Sequence, residues 1–217
     1  MDGVEFLQKL IVWAPGVIFA ITLHEWAHGF AAYRFGDPTA ASLGRLSLNP
    51  LAHVDWVWTV AVPIVLLLTM GFAFGAAKPV PINPRNFRGS YKFAMFWVAT
   101  AGPLMNLFLA LVCALGLRLV GLLPAFFAEP LFQMLQAGIV ANVVLAVFNM
   151  FPVPPLDGGR VAVALLPPPL DRHWAGLERF GLPLIMILAF SGLLGRVVQP
   201  AVSLFFDFYM TLAGLVT

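Results

Sequence analysis

From Phe93 to Leu119 the chain runs for 27 residues with one formal charge, Arg118. A soluble domain has little use for such a stretch, whereas about 20 predominantly apolar residues suffice for one helical crossing of a bilayer. Further apolar segments fall at Leu7–Tyr33, Leu131–Phe151 and Val197–Val216. Two weaker segments accompany them. Trp56–Phe74 contains Pro63 and ends in a glycine-spotted tail, and Leu182–Leu194 is short, with Gly181 and Pro183 at its start. Composition agrees with this pattern: 61% of the 217 residues are apolar and 10% are charged, against about 45–50% and about 25% in soluble domains. Disorder is excluded by the same hydrophobicity. A net charge of +2 without any basic run gives no footprint for nucleic acid. The single cysteine, Cys113, lies in an apolar stretch and reads as a small buried hydrophobe, with no intramolecular disulfide to form. The chain is therefore expected to be an all-α polytopic membrane protein. Its N-terminus, with Asp2, Glu5 and Lys9 before the apolar run, lacks the basic start and cleavage site of a signal peptide. The first segment is expected to be retained.

Three polar connections separate the segments: Arg34–Asp55; Lys78–Arg88, whose prolines forbid a helix; and Pro152–Gly181. None is polar enough to be a separate soluble domain. Within Leu7–Tyr33 stands His24-Glu25-Trp26-Ala27-His28. On a helix, residues four apart share a face, so His24 and His28 can grip one metal with Glu25 beside them. Chance would place this pattern in roughly one chain of this composition in a thousand. Ionisable groups inside a membrane segment are costly, about 2.5–3.5 kcal/mol each for charged ones on insertion scales, so three within five residues need a compensating purpose. A catalytic zinc takes a third protein ligand. The candidates of suitable type near membrane ends are His53, Asp55, Asp157, Asp171 and His173. Asp157 stands out because it follows an apolar segment and a proline-broken stretch, Pro152-Val153-Pro154-Pro155, where irregular backbone at membrane depth needs protein or water beside it.

His24-Glu25-Trp26-Ala27-His28, then Gly102-Pro103-Leu104-Met105-Asn106, then Asn149 through Pro152 to Asp157-Gly158 occur in that order. Together they resemble the site-2 protease family of intramembrane zinc metalloproteases, in a compact bacterial form without PDZ or CBS domains. The resemblance covers about 7–160. It implies one zinc per chain held by His24, His28 and Asp157, with Glu25 as the catalytic base. It implies that Asn149 holds substrate or oxyanion. It also implies hydrolysis of membrane-protein substrates in or near their transmembrane segments, as in regulated intramembrane proteolysis. The expected organisation is one membrane-embedded domain over 1–217: a three-helix metalloprotease core, a re-entrant segment and two accessory C-terminal helices at about 182–216.

Other residues read more plainly. Asn106 is expected to make a structural interhelical hydrogen bond, and Gly102-Pro103 to permit close helix approach or a kink. Leu43–Leu48 alternates enough to be an edge strand able to pair with an extended substrate. His53 is expected to be an interface or capping residue. The aromatic group Phe205, Phe206, Phe208 and Tyr209 is expected to face lipid or the interface. Two other function classes are open at this stage: a zinc-binding membrane transporter, and a membrane-protein binder that does not cleave.

Topology follows from the site. His24 and His28 lie past the middle of their segment, and Asp157 lies just beyond the end of Leu131–Phe151. One metal can join them only if these two helices run parallel, so one of the two intervening segments must fail to cross. Trp56–Phe74 is the weaker and is expected to be re-entrant. That arrangement puts nine basic residues on the site face (Arg34, Arg45, Lys78, Arg85, Arg88, Lys92, Arg160, Arg172, Arg179) and three on the other (Lys9, Arg118, Arg196). Full crossing by every segment would give eight against four. The positive-inside rule then sets the site toward the cytoplasm of a bacterial cell membrane.

Overall fold

A computed structural model describes residues 3–62, 65 and 78–215. In order they form α1 (Gly3–Arg34), α2 (Thr39–Ser42), α3 (Tyr91–Val120), α4 (Ala125–Asn149), α5 (Asp157–Leu165), α6 (Leu170–Ala175), α7 (Glu178–Phe190) and α8 (Leu193–Leu212). Among the described residues there is no strand. α1, α3 and α4 are each long and apolar enough to cross a membrane. Their sequence-read bounds agree to within about six residues, because an uninterrupted apolar run leaves the backbone no partner except its own helix.

These three helices pack on one another. His28 meets Val98 and Ala20 meets Asn106, so α1 and α3 are antiparallel. Gly16 of α1 lies on Gly138 of α4, while both helices end toward the site, so α1 and α4 are parallel. Small residues line the contacts: Ala20, Ala27 and Ala32 of α1, Ala94, Ala99, Ala110 and Ala114 of α3, and Ala137, Ala141 and Ala146 of α4 are all buried. Close backbone approach of this kind is what drives association in lipid, where apolar burial alone gives no preference.

Most of the segment 56–74, expected to be re-entrant, lies outside the described residues. Trp56–Ala61 opens it as a single π-helical element. The flanks of the segment meet, with the Lys78 N–H donating to the His53 carbonyl at 3.0 Å. The wider connection also closes on itself, since the Arg88 N–H donates to the Phe35 carbonyl at 2.8 Å.

Four expectations are corrected. Leu43–Leu48 is not a strand but a series of turns and bends, because the N–H groups of Arg45 and Leu46 both turn back to the Ala40 carbonyl, at 2.8 and 3.2 Å. Lys78–Arg88 does contain one helical turn, a 3-10 turn at Pro84–Asn86; proline suits its first position, where no N–H is required. The apolar segments put the C-terminal break between Leu194 and Val197, at Arg196, but it falls at Gly192, which adopts φ 71°. α7 and α8 meet there at 82° and make a fourth candidate span only as a pair. Finally, Tyr209 does not face lipid. It is buried beside Met210 and Ala213 against Ala110, Ala114, Ile139 and Val143, and its hydroxyl donates to the Leu107 carbonyl at 2.8 Å. Phe208 alone of the four aromatic residues is strongly exposed.

Candidate metal centre

The site forms where the C-terminal half of α1, the N-terminal half of α3 and the start of α5 converge. His24 and His28 are buried on the inner face of α1. The His28 Nδ1–H donates to the Val98 carbonyl at 2.7 Å. A carbonyl can only accept, so the tautomer is set and Nε2 keeps its lone pair. His24 Nδ1 lies 2.6 Å from Asn106 Oδ1. Asn106 uses its amide nitrogen elsewhere, donating to the Ala20 carbonyl at 3.1 Å and to Asn142 Oδ1 at 2.9 Å. Its oxygen is therefore the acceptor, and His24 also presents Nε2 as a lone pair. Asn142 in turn donates to the Gly138 carbonyl at 2.9 Å. Fixing the far nitrogen of each imidazole is how proteins orient histidine ligands.

Asp157 completes the group. It opens α5, where the helix N-terminus favours a carboxylate. Gly158 and Gly159 let this first turn press against the proline-rich loop. A Cβ at Gly158 would stand 2.7 Å from the Phe151 carbonyl oxygen, and one at Gly159 would stand 2.6 Å from Pro154 Cα. Asp157 Oδ2 lies 3.2 Å from both Nε2 atoms, which are 3.0 Å apart. A tetrahedral zinc bonded at about 2.0–2.1 Å separates its ligand atoms by about 3.3 Å, so this cluster has the size and the N/N/O donor set that such an ion requires. Gly102 closes one wall. A Cβ there would lie 2.7 Å from His24 Nε2 and closer still to His28 Nε2, so α3 must present bare backbone at this point.

Among the described residues, His24, His28 and Asp157 are the one group able to hold a metal in this way. The other proposed ligands are elsewhere. His53 is buried and donates from Nε2 to the Ser47 carbonyl at 2.8 Å. Asp55 accepts from the Val57 N–H at 2.9 Å. Asp171 pairs with Lys92 at 2.8 Å, whose hydrogen bond holds the Asp171 carboxyl below its usual range. His173 is exposed and bonds to the Pro169 carbonyl. Glu25 stands next to the group, and its Oε2 accepts from the Val80 N–H at 2.9 Å. Asn149, at the end of α4, donates to the Leu145 carbonyl of its own helix at 3.0 Å.

The sequence reading did not identify the orienting role of Asn106 or the presence of Asn142. The signal available was their position in charge-free helices, where a buried amide needs a partner. Asp37 was not singled out either. It is 1% exposed and accepts from the Thr39 hydroxyl, the Asn86 amide and the N–H groups of Asn83 and Thr39. Burial alone would push its carboxyl up, but these hydrogen bonds outweigh burial and hold it below the usual range.

Two buried imidazoles on a membrane-length helix and a carboxylate at the start of a short one, packed together with a glutamate beside them, are the donor set of a metal site in a membrane protein. Comparison with known proteins narrows this. The chain is 37% identical over 191 residues to "Putative zinc metalloprotease YwhC" of Bacillus subtilis, covering 85% of this chain and 82% of that protein. It is 29% identical over 219 residues to "Putative zinc metalloprotease Rip2" of Mycolicibacterium smegmatis, covering 97% and 80%. A protein of the same name from Mycobacterium tuberculosis is also 29% identical, over 80% of this chain and 64% of that one. No family profile and no solved structure matches. The chain belongs to the site-2 protease family of zinc metalloproteases.

Proposed function

We propose that the chain is an intramembrane zinc endopeptidase that hydrolyses peptide bonds in or near the transmembrane segments of other membrane proteins. The observation that carries this reading is the convergence of His24, His28 and Asp157 within 4.8 Å, next to Glu25 and between helices of membrane length. Bound there, zinc would supply a Lewis acid and bring a water's pKa to about 7. His24 and His28 would hold the ion through Nε2, and Asp157 through Oδ2. Glu25 takes a proton from the attacking water and passes it to the leaving amine. Asn149 donates to the substrate or to the developing oxyanion once its amide turns from the Leu145 carbonyl. A cleft of about 520 Å³ reaches His28 between Pro81, Val98, Pro154 and Arg160. Its mainly apolar walls suit an extended apolar peptide. The bilayer is the solvent for both partners. The site lies toward the cytoplasmic side of a bacterial cell membrane, supported by the nine basic residues assigned to that face and by the bacterial relatives.

The test is purified protein in nanodiscs with a reporter transmembrane helix. Wild-type protein should hold one zinc and cut the reporter. Glu25→Gln should keep zinc and lose cleavage, Asp157→Ala should lose both, and Asn149→Ala should keep zinc with reduced turnover. Cleavage by Glu25→Gln at near wild-type rate would remove Glu25 from the mechanism. Zinc flux into vesicles without any cleavage would favour a transporter.

A further inference from the structure

Residues Lys78–Ile82 run without helix or strand over the end of α1 that carries the site. Val80 is buried there, 6% exposed, and its methyl group is the nearest atom to the face of Gly29, the residue after His28. Its N–H donates to Glu25 Oε2 at 2.9 Å. Pro79 and Pro81 flank it. Neither has an N–H, and each has a fixed φ. The strap therefore offers Glu25 one donor, at one place, with no neighbouring amide able to replace it after a slip of one residue.

The strap is itself held from outside. Arg45 Nη2 donates to the Lys78 carbonyl at 2.9 Å and to the Pro79 carbonyl at 3.4 Å. These are the two carbonyls immediately before the Val80 N–H. Upstream, the Lys78 N–H is bonded to His53 at 3.0 Å. Downstream, the Asn83 N–H is bonded to Asp37 at 2.7 Å. Glu25 is thus joined to Arg45 through one peptide segment. A guanidinium suits the outer end because it is always charged and presents a planar fork of donors to adjacent carbonyls.

We propose that Arg45 is a positioning residue for Glu25, acting through the Lys78–Val80 strap. The strap holds Oε2, which fixes the carboxylate's orientation and leaves Oε1 to receive the proton. The inference rests on the assignment of Glu25 as base. Loosening the strap lets the carboxylate rotate away from the water, which lowers turnover without changing how substrate or metal is bound. Misplacement of a reacting group by about 1 Å can cost about 10²-fold in rate.

The experiment uses the whole zinc-loaded protein in nanodiscs. Arg45→Ala should lower kcat by about 10- to 100-fold, with KM and zinc content unchanged. Arg45→Lys should recover part of the loss. Val80→Pro, which deletes the N–H, should match Arg45→Ala. Val80→Ala, which keeps the N–H, should lose less turnover than Val80→Pro. Where Val80→Pro fails to fold, the Ala and Lys replacements of Arg45 decide. Unchanged kcat in Arg45→Ala overturns the proposal, as does a loss confined to KM. A rise in kcat also overturns it, since the strap would then be a cover. A readout independent of cleavage is hydrogen exchange of the Val80 amide, which should quicken in Arg45→Ala and in Glu25→Ala. Unchanged exchange in both overturns the proposal whatever the activity. A wild-type protein that holds zinc but never cuts would instead refute the peptidase reading.

Discussion

The two ends of α3 solve the same packing problem in different ways. Toward Tyr91, the helix presents Val98, Gly102 and Asn106, and each meets an imidazole: a carbonyl on His28, bare backbone against both rings, an amide on His24. Toward Val120 it presents Ala110, Ala114 and Leu117 to an apolar cluster with Ile139, Val143, Tyr209 and Met210. There the packing is a matter of shape, pinned by the Tyr209 hydroxyl. A polar group at the site end has one acceptable neighbour. A methyl group at the other end has several. Substitutions at the first end should therefore read out in metal and chemistry, and at the second in stability alone.

Two glycines of this helix make the sharpest comparison. Gly102→Ala should abolish zinc binding and cleavage, because the new methyl group would occupy space held by both Nε2 atoms. Gly116→Ala should leave both intact, because its Cβ would lie 3.3 Å from the tip of the Leu135 side chain, which can move aside. Equal zinc content in the two variants, measured by elemental analysis, would break the contrast. Asn106→Ala should weaken zinc about 10- to 100-fold, as expected when a histidine ligand loses its orienting partner; competition with a chelator measures this.

Acid should separate the regions next. Asp37 has a carboxyl held below its ordinary value. Its contribution to stability is then complete above about pH 4 and lost as pH falls through the lowered value. Asp37→Asn should flatten the acid side of a plot of Tm against pH, and an unchanged acid limb would remove Asp37 as its source. The smallest effect belongs to the apolar end. Tyr209→Phe should cost about 0.6 kcal/mol, the mean for an interhelical hydrogen bond in a membrane protein, with cleavage rate unchanged. A change in kcat would show that this end communicates with the site.

The same division explains what could be read from sequence. α1, α3 and α4 announce themselves because charge-free runs of their length have one outcome in a bilayer. The meeting of His24 and His28 is legible because they sit within one turn of helix, and that of Asp157 with them because of the proline-rich stretch before it. Asn142 and the contact between Val80 and Glu25 are not legible. They join residues 36 and 55 positions apart, and no local spacing encodes such pairings. Tyr209 was misplaced because an aromatic run looks the same whether it faces lipid or the Leu107 carbonyl. The C-terminal break was misplaced for a related reason. Arg196 is the conspicuous residue, but the left-handed backbone at Gly192 is what turns the chain.

The spacing of the candidate metal ligands also has a consequence in time. Asp157 follows His28 by 129 residues, and at about 5–20 residues per second roughly ten seconds of synthesis separate them. During that interval α3 emerges and brings Val98 and Asn106, so both imidazoles can already be fixed while the carboxylate is still unmade. Until synthesis reaches Asp157 the growing chain holds only two of the three candidate donors, and the third comes only after the residues of α4. The nascent chain therefore lies in the membrane for a time with its candidate metal centre still incomplete.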